Sequence, residues 1–210
     1  AGLVDTPGDA YDVAVQGDRA YVADALTGLQ VIDISGPETF GILGTANTPG
    51  VACGVTVAGS YAYVADKFSG LSVIDVSDLP PVRVGSVPTT GLAWDVAVAG
   101  DVACVTDDAS GLQVIDVFSP ASPWTVDTVP TPPQARTVTI DGNRAYVSAG
   151  SGGLFIIDLT NPADARVLGV ADLPSPIEAA AVRGRYAYVV TSLAEFKVLD
   201  IGNPAAPFEV

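Results

Sequence analysis

One octapeptide is written five times in this chain: GLQVIDIS at 28–35, GLSVIDVS at 70–77, GLQVIDVF at 111–118, GLFIIDLT at 153–160 and EFKVLDIG at 195–202. Its aspartate falls at Asp33, Asp75, Asp116, Asp158 and Asp200, in steps of 42, 41, 42 and 42 residues. An upstream glycine keeps the same step, at Gly17, Gly59, Gly100, Gly142 and Gly184. A period of this length marks stacked supersecondary units, each of which needs its neighbours to bury its apolar surface.

Each unit lacks a helical period and holds short runs rich in Val, Ile and Tyr. In the first unit YDVAVQG (11–17), RAYVAD (19–24), GLQVIDIS (28–35) and FGILGTA (40–46) read as four strands. Gly17-Asp18 and Gly142-Asn143 are tight-turn pairs between the first two. Pro37, Pro80, Pro120, Pro162 and Pro204 follow the third strand, where a missing N–H does no damage. The third strand is apolar almost throughout, as expected of a sheet covered on both faces. The sequence therefore predicts an all-β fold, a five-bladed β-propeller of four-stranded antiparallel blades, as a single domain over 1–210.

The pattern AYVAD…GLxVIDIS, followed by proline and by the turn Thr48-Pro49-Gly50, resembles the LVIVD repeat. That family forms propellers in bacterial and archaeal surface and secreted proteins. The resemblance covers essentially the whole chain and frays in the last unit, where Glu195-Phe196 replaces Gly-Leu and Thr191 replaces the aspartate of AYVAD. It implies an extracytoplasmic location and brings no catalytic motif with it.

Ala1 and Val210 both map onto the repeat position of Leu43, so the segment spans five whole periods. This phase predicts a closed ring, with residues 2–6 completing the last blade as its outer strand and removing an open edge. The absence of any methionine reads as a processed or excised segment.

Net charge is −15, with two lysines and seven arginines. Such a field repels phosphate backbones, which excludes nucleic acid and anionic membrane surfaces as partners. No apolar run approaches the ~20 residues of a membrane-spanning helix. The chain has no histidine, so Ser-His-Asp, Cys-His and histidine-ligated zinc sites are all excluded. No cofactor or metal site is expected: Asp107-Asp108 offers two oxygen donors but lacks calcium-loop spacing. Cys53 and Cys104 occupy unequal repeat positions and are expected to be unpaired thiols.

The recurrent aspartates are expected to serve turns: Asp33 and its equivalents before the serine and proline, Asp24, Asp66 and Asp107 in the loop after the second strand. Specificity is sought where the repeat varies. The residue opening the first strand is Tyr11, Cys53, Trp94, Arg136 or Glu178, and the next is Asp12, Gly54, Asp95, Thr137 or Ala179. In a propeller these positions and the loops between second and third strands share the mouth of the channel. Candidate ligand-binding residues are accordingly Tyr11, Asp12, Phe68, Trp94, Asp95, Arg136 and Glu178, with Phe68 and Trp94 as aromatic platforms.

Three functions fit. The first is a non-catalytic binding or adhesion scaffold presenting the mouth to a protein or glycan, as a monomer or as part of a larger surface protein. The second is a glycoside hydrolase using Asp12, Asp95 and Glu178 as carboxylates, which needs one carboxyl raised by burial and one left ionised. The third is a structural spacer with no ligand.

Overall fold

The computed structural model describes residues 3–36, 40–150 and 152–210. Five four-stranded antiparallel sheets follow one another, each a simple meander in chain order. Blade one holds strands Asp12–Gln16, Arg19–Ala23, Leu29–Asp33 and Gly41–Ala46. Blade two holds Gly54–Ala58, Tyr61–Ala65, Leu71–Asp75 and Val82–Val87. Blade three holds Ala93–Ala99, Val102–Asp107, Gly111–Asp116 and Trp124–Val129. Blade four holds Ala135–Asp141, Arg144–Ala149, Leu154–Asp158 and Arg166–Ala171. Blade five holds Ile177–Arg183, Tyr186–Thr191, Phe196–Asp200 and the short Phe208–Glu209. The architecture expected from the repeat is thus present blade by blade, and the first strands of successive blades pack side by side along the inner wall.

The glycine that keeps the period closes the first hairpin of each blade. Gly17, Gly59, Gly100, Gly142 and Gly184 all sit in the left-handed region, with φ between 57° and 60°. A Cβ at any of them would meet nothing within 4 Å, so backbone conformation and not space selects glycine there.

Alternation along each strand gives a blade two apolar faces, and packing proceeds face to opposite face. Tyr21, Leu29 and Val31 of blade one form a core with Val55, Val64 and Ile74 of blade two. Blades two and three repeat this with Tyr63, Leu71 and Val73 against Val96, Val105 and Ile115. Blades three and four use Cys104, Leu112 and Val114 against Val138, Val147 and Ile157. Blades four and five use Tyr146, Leu154 and Ile156 against Ile177, Val189 and Leu199. Each large side chain buried this way contributes on the order of 1.5–3 kcal/mol.

Among the described residues no corresponding core joins blade five to blade one. The remaining apolar cluster belongs to blade one alone: Ala20, Val22 and Ile32, with Val4 and Ile34 against them. The expected ring closure is therefore corrected. Gly2 lies outside the described residues, and residues 3–6 form no strand. The outer position of blade five is taken by Phe208–Glu209, paired with Leu199 and Asp200. Val4 instead rests on the outward face of blade one. The two end faces do not pack on one another: Val13 and Val15 of blade one and Phe196 of blade five stay exposed, so the five blades form an open arc.

The octapeptide aspartates do the turn work expected of them. Asp33 accepts the Ser35 N–H at 2.8 Å, and Asp75, Asp116, Asp158 and Asp200 accept the N–H two residues on at 2.9 Å each. The Ser35 N–H, with its hydroxyl adding, holds the Asp33 carboxyl below its ordinary range, and the Ser77 and Thr160 hydroxyls, with their N–H bonds adding, do the same for Asp75 and Asp158.

Candidate functional site at the inner wall

A second set of carboxylates fixes the segment that leads into each first strand. Asp24 accepts the Thr6 hydroxyl at 2.7 Å and the Gly8 N–H at 2.9 Å. Asp66 accepts Thr48 and Gly50 at 2.7 and 3.0 Å, and Asp107 accepts the Gly91 N–H at 2.8 Å. These side chains do more than tie down their own loops: they pin the turn that leads into each first strand, Thr6-Pro7-Gly8, Thr48-Pro49-Gly50 and Thr89-Thr90-Gly91. In blade five, where Thr191 stands in place of the aspartate, Glu195 supplies the carboxylate, accepting Ser175 and Thr191 hydroxyls at 3.2 Å each. The frayed motif is a relocated clamp. Asp108, beside Asp107, accepts the Leu92 N–H at 2.9 Å.

With their lead-in segments pinned, the variable residues converge. Tyr11, Asp12, Cys53, Gly54, Trp94, Asp95, Arg136 and Thr137, from four consecutive blades, line a cleft of about 240 Å³ on the inner wall. Tyr11 also borders a wider recess of about 610 Å³ with Leu26, Thr27, Val51 and Lys67. Glu178 lies further round the arc, in a recess of about 380 Å³ shared with Gln134, Arg136 and Ile177. Phe68 is exposed and borders none of these three. Five of the seven candidates are thus brought together, with Arg136 linking them to Glu178.

Trp94 is the centre of the cleft. The Lys67 Nζ lies 4.5 Å from its ring centroid and the Arg136 Cζ 4.1 Å, so two cations from blades two and four meet on one indole. The Lys67 Nζ also stands 5.7 Å from the Phe68 ring. The Trp94 Nε1–H is buried without a hydrogen-bond partner. Among the described residues neither Lys67 nor Arg136 joins a salt bridge, although the chain carries 24 acidic residues. Lys67 is absent from the candidates drawn from the sequence. It was signalled there by being one of two lysines, at the loop position that holds Ala25 in blade one.

Asp12 and Asp95 face the same cleft as blade-to-blade staples. Asp12 accepts the Val13 N–H through one oxygen and the Val55 N–H of blade two through the other, both at 2.8 Å. Asp95 does the same with Val96 at 2.8 Å and Val138 of blade four at 2.9 Å. Burial pushes the Asp95 carboxyl up to about 6 despite those two bonds, and the Asp12 charge adds to the rise. In blade two the equivalent residue is Gly54, where a Cβ would stand 2.8 Å from the Asp95 backbone. The staple therefore alternates: blades one and three carry it, and blade two makes room.

Both thiols are buried and unpaired. Burial raises Cys53, which borders the cleft, and pushes Cys104, deep between blades three and four, up to about 12. Among the described residues no group of three or more Cys, Asp or Glu side chains is placed to hold a metal ion. No helix among the described residues is long and apolar enough to cross a membrane.

Comparison with known proteins agrees with this architecture. The LVIVD-repeat family profile matches residues 7–48, 49–89, 90–131, 133–169 and 178–210. No curated protein matches the chain. A functionally unknown protein from Desulfotomaculum acetoxidans is similar in structure at 15% identity, with a TM-score of 0.82 over 99% of this chain and 70% of that one. The β-propeller domain of Myceliophteria thermophila Cps50 (Swd1) is similar at 14% identity and a TM-score of 0.74, over 96% of this chain and 69% of that one. The computationally designed Ika8 protein gives 12% identity and a TM-score of 0.76, over 94% of this chain, which spans 60% of the designed one.

Proposed function

The chain belongs to the LVIVD-repeat family, and from that premise we propose that it is a non-catalytic binding scaffold whose inner-wall cleft takes a protein or glycan ligand outside the cytoplasm. One observation carries the reading. In four of the five blades the residues that open the first strand, where the repeats differ, converge on a single cleft, centred on Trp94 with Lys67 and Arg136 against its ring. Residues that only hold the fold repeat from blade to blade, as the turn aspartates do. Residues free to differ, gathered in one place around an aromatic platform, supply recognition.

The raised Asp95 carboxyl beside Asp12 favours a second reading, carboxylate-dependent glycoside hydrolysis. Against it, both oxygens of each aspartate are already occupied by backbone N–H donors. A group so engaged is poorly placed to pass a proton to a leaving oxygen.

The test is a glycan and peptide array probed with the purified chain, followed by Trp94→Ala against the ligand it identifies and a fluorogenic glycoside panel alongside. The binding reading expects Trp94→Ala to weaken that ligand by ~1 kcal/mol or more, with no glycoside turned over. Turnover by the unmodified protein that disappears in Asp95→Asn would establish the hydrolase instead.

A further inference from the structure

We propose that the two end faces of the arc are seats for two further four-stranded blades of the same repeat, which complete a ring of about seven. The outward face of blade one is built for burial: Val4 covers Ala20, Val22 and Ile32 on it, and its inner strand is left open. Its Val13 and Val15 are 57% and 63% exposed, while the matching Val55 of blade two is 5% exposed beneath blade one. The opposite end is open in the complementary sense. Phe196 of blade five is 68% exposed, where the matching Leu154 of blade four is fully buried against blade five. Val190 lies opposite Phe196 in the sheet, the Tyr188 ring stacks on it with centroids 6.2 Å apart, and Tyr186 and Phe208 are exposed further along the same blade. Apolar faces of this extent mark an interaction surface.

The chemistry of the occupant follows from the four interfaces already formed. Each joins a face of leucine and β-branched residues, with a tyrosine or, in blade three, Cys104, to a Val/Ala/Ile face on the next. Blade one lacks a partner for its Val/Ala/Ile face, and blade five lacks one for its aromatic and Val face. A blade of this repeat carries one face of each kind and fits both ends. The size of the gap comes from the fold match: nearly the whole chain lies on 69% of a natural β-propeller domain, so five blades leave space for about two. A second copy of the chain brings five blades to that space, which is too many, and joined head to tail it would make an open filament.

The test retains the full 210-residue chain and appends a copy of residues 44–126 after Val210, which continues the repeat in phase for two blades. Hydrogen exchange at strands Asp12–Gln16 and Tyr186–Thr191 should slow by ~10-fold or more, the factor that burial of one large side chain supplies. The extended chain should be monomeric, and its urea midpoint should drop with Val15→Asp or Phe196→Asp. In the 210-residue chain the same two substitutions should leave the midpoint unchanged and reduce binding of a hydrophobic dye. An extended chain with both faces still unprotected overturns the proposal. So does a loss of midpoint in the substituted 210-residue chain, or a discrete dimer of that chain with both faces protected, which would assign the seats to a second copy.

Discussion

Asp95 gives the sharpest quantitative test of the cleft, because its staple works against its own burial. The carboxyl is pushed from 3.8 to about 6, which costs the folded state roughly 3 kcal/mol once the group is ionised. Below pH ~4 both folded and unfolded chains hold the proton and the cost is absent. Between about pH 4 and 6 the unfolded chain has lost a proton that the folded chain keeps, so stability falls as pH rises; above about pH 6 the loss is complete. Asp95→Asn removes the ionisation while keeping one oxygen for the Val138 or Val96 N–H. Urea unfolding of both proteins at intervals from pH 4 to 7.5 isolates the effect, since the difference between them cancels every other titrating group. The variant should gain on the unmodified chain by roughly 3 kcal/mol across that window, on top of a constant offset for the lost second bond. A difference that stays flat with pH would refute the burial argument.

Two further outcomes follow from the clamps and the thiols. Asp66→Ala strands the Thr48 hydroxyl and the Gly50 N–H beneath the loop, and should cost ~2–4 kcal/mol in chemical denaturation, part of the loss being offset by relief of a buried charge. Neither thiol should react with a disulfide reagent at pH 8 in the native chain, since Cys104 is pushed up to about 12 and Cys53 is raised; unfolding without reductant should release two thiols per chain.

What the sequence made legible was whatever repeats. The octapeptide aspartates read as turn acceptors and are so, because an aspartate two residues before a free N–H acts locally and its partner lies in the same blade. Asp12 and Asp95 were harder: their occupying equivalent positions marks them as scaffold, but the second partner, Val55 or Val138, lies 43 residues ahead in the next blade. One period plus one residue is a spacing that only the packed blades make meaningful. Lys67 was missed for a related reason. Its loop belongs to blade two and its partner ring to blade three, and no pattern within one repeat says that they meet. Glu195 was taken as decay of the motif, whereas its carboxylate holds the lead-in segment through the Ser175 hydroxyl and accepts the hydroxyl of Thr191, which stands in the aspartate's place.

Closure was misjudged because phase and curvature are different quantities. The shared repeat position of Ala1 and Val210 counts periods; it carries no information on the angle between neighbouring blades. That angle depends on how closely the outer strands approach. In the fourth strands, a Cβ on Gly44 would stand 2.7 Å from the Pro81 side chain, and one on Gly85 or Gly169 would stand 2.1 Å from the carbonyl oxygen of Pro120 or Pro204. Glycine at these three positions lets the proline turn of the following blade press against the outer edge, whereas blade three carries Asp127 there, which accepts the Ala165 N–H of blade four instead. The glycine and the proline turn were both visible in the sequence, 35 to 37 residues apart, but their contact across the outer rim was not, because it joins two neighbouring blades.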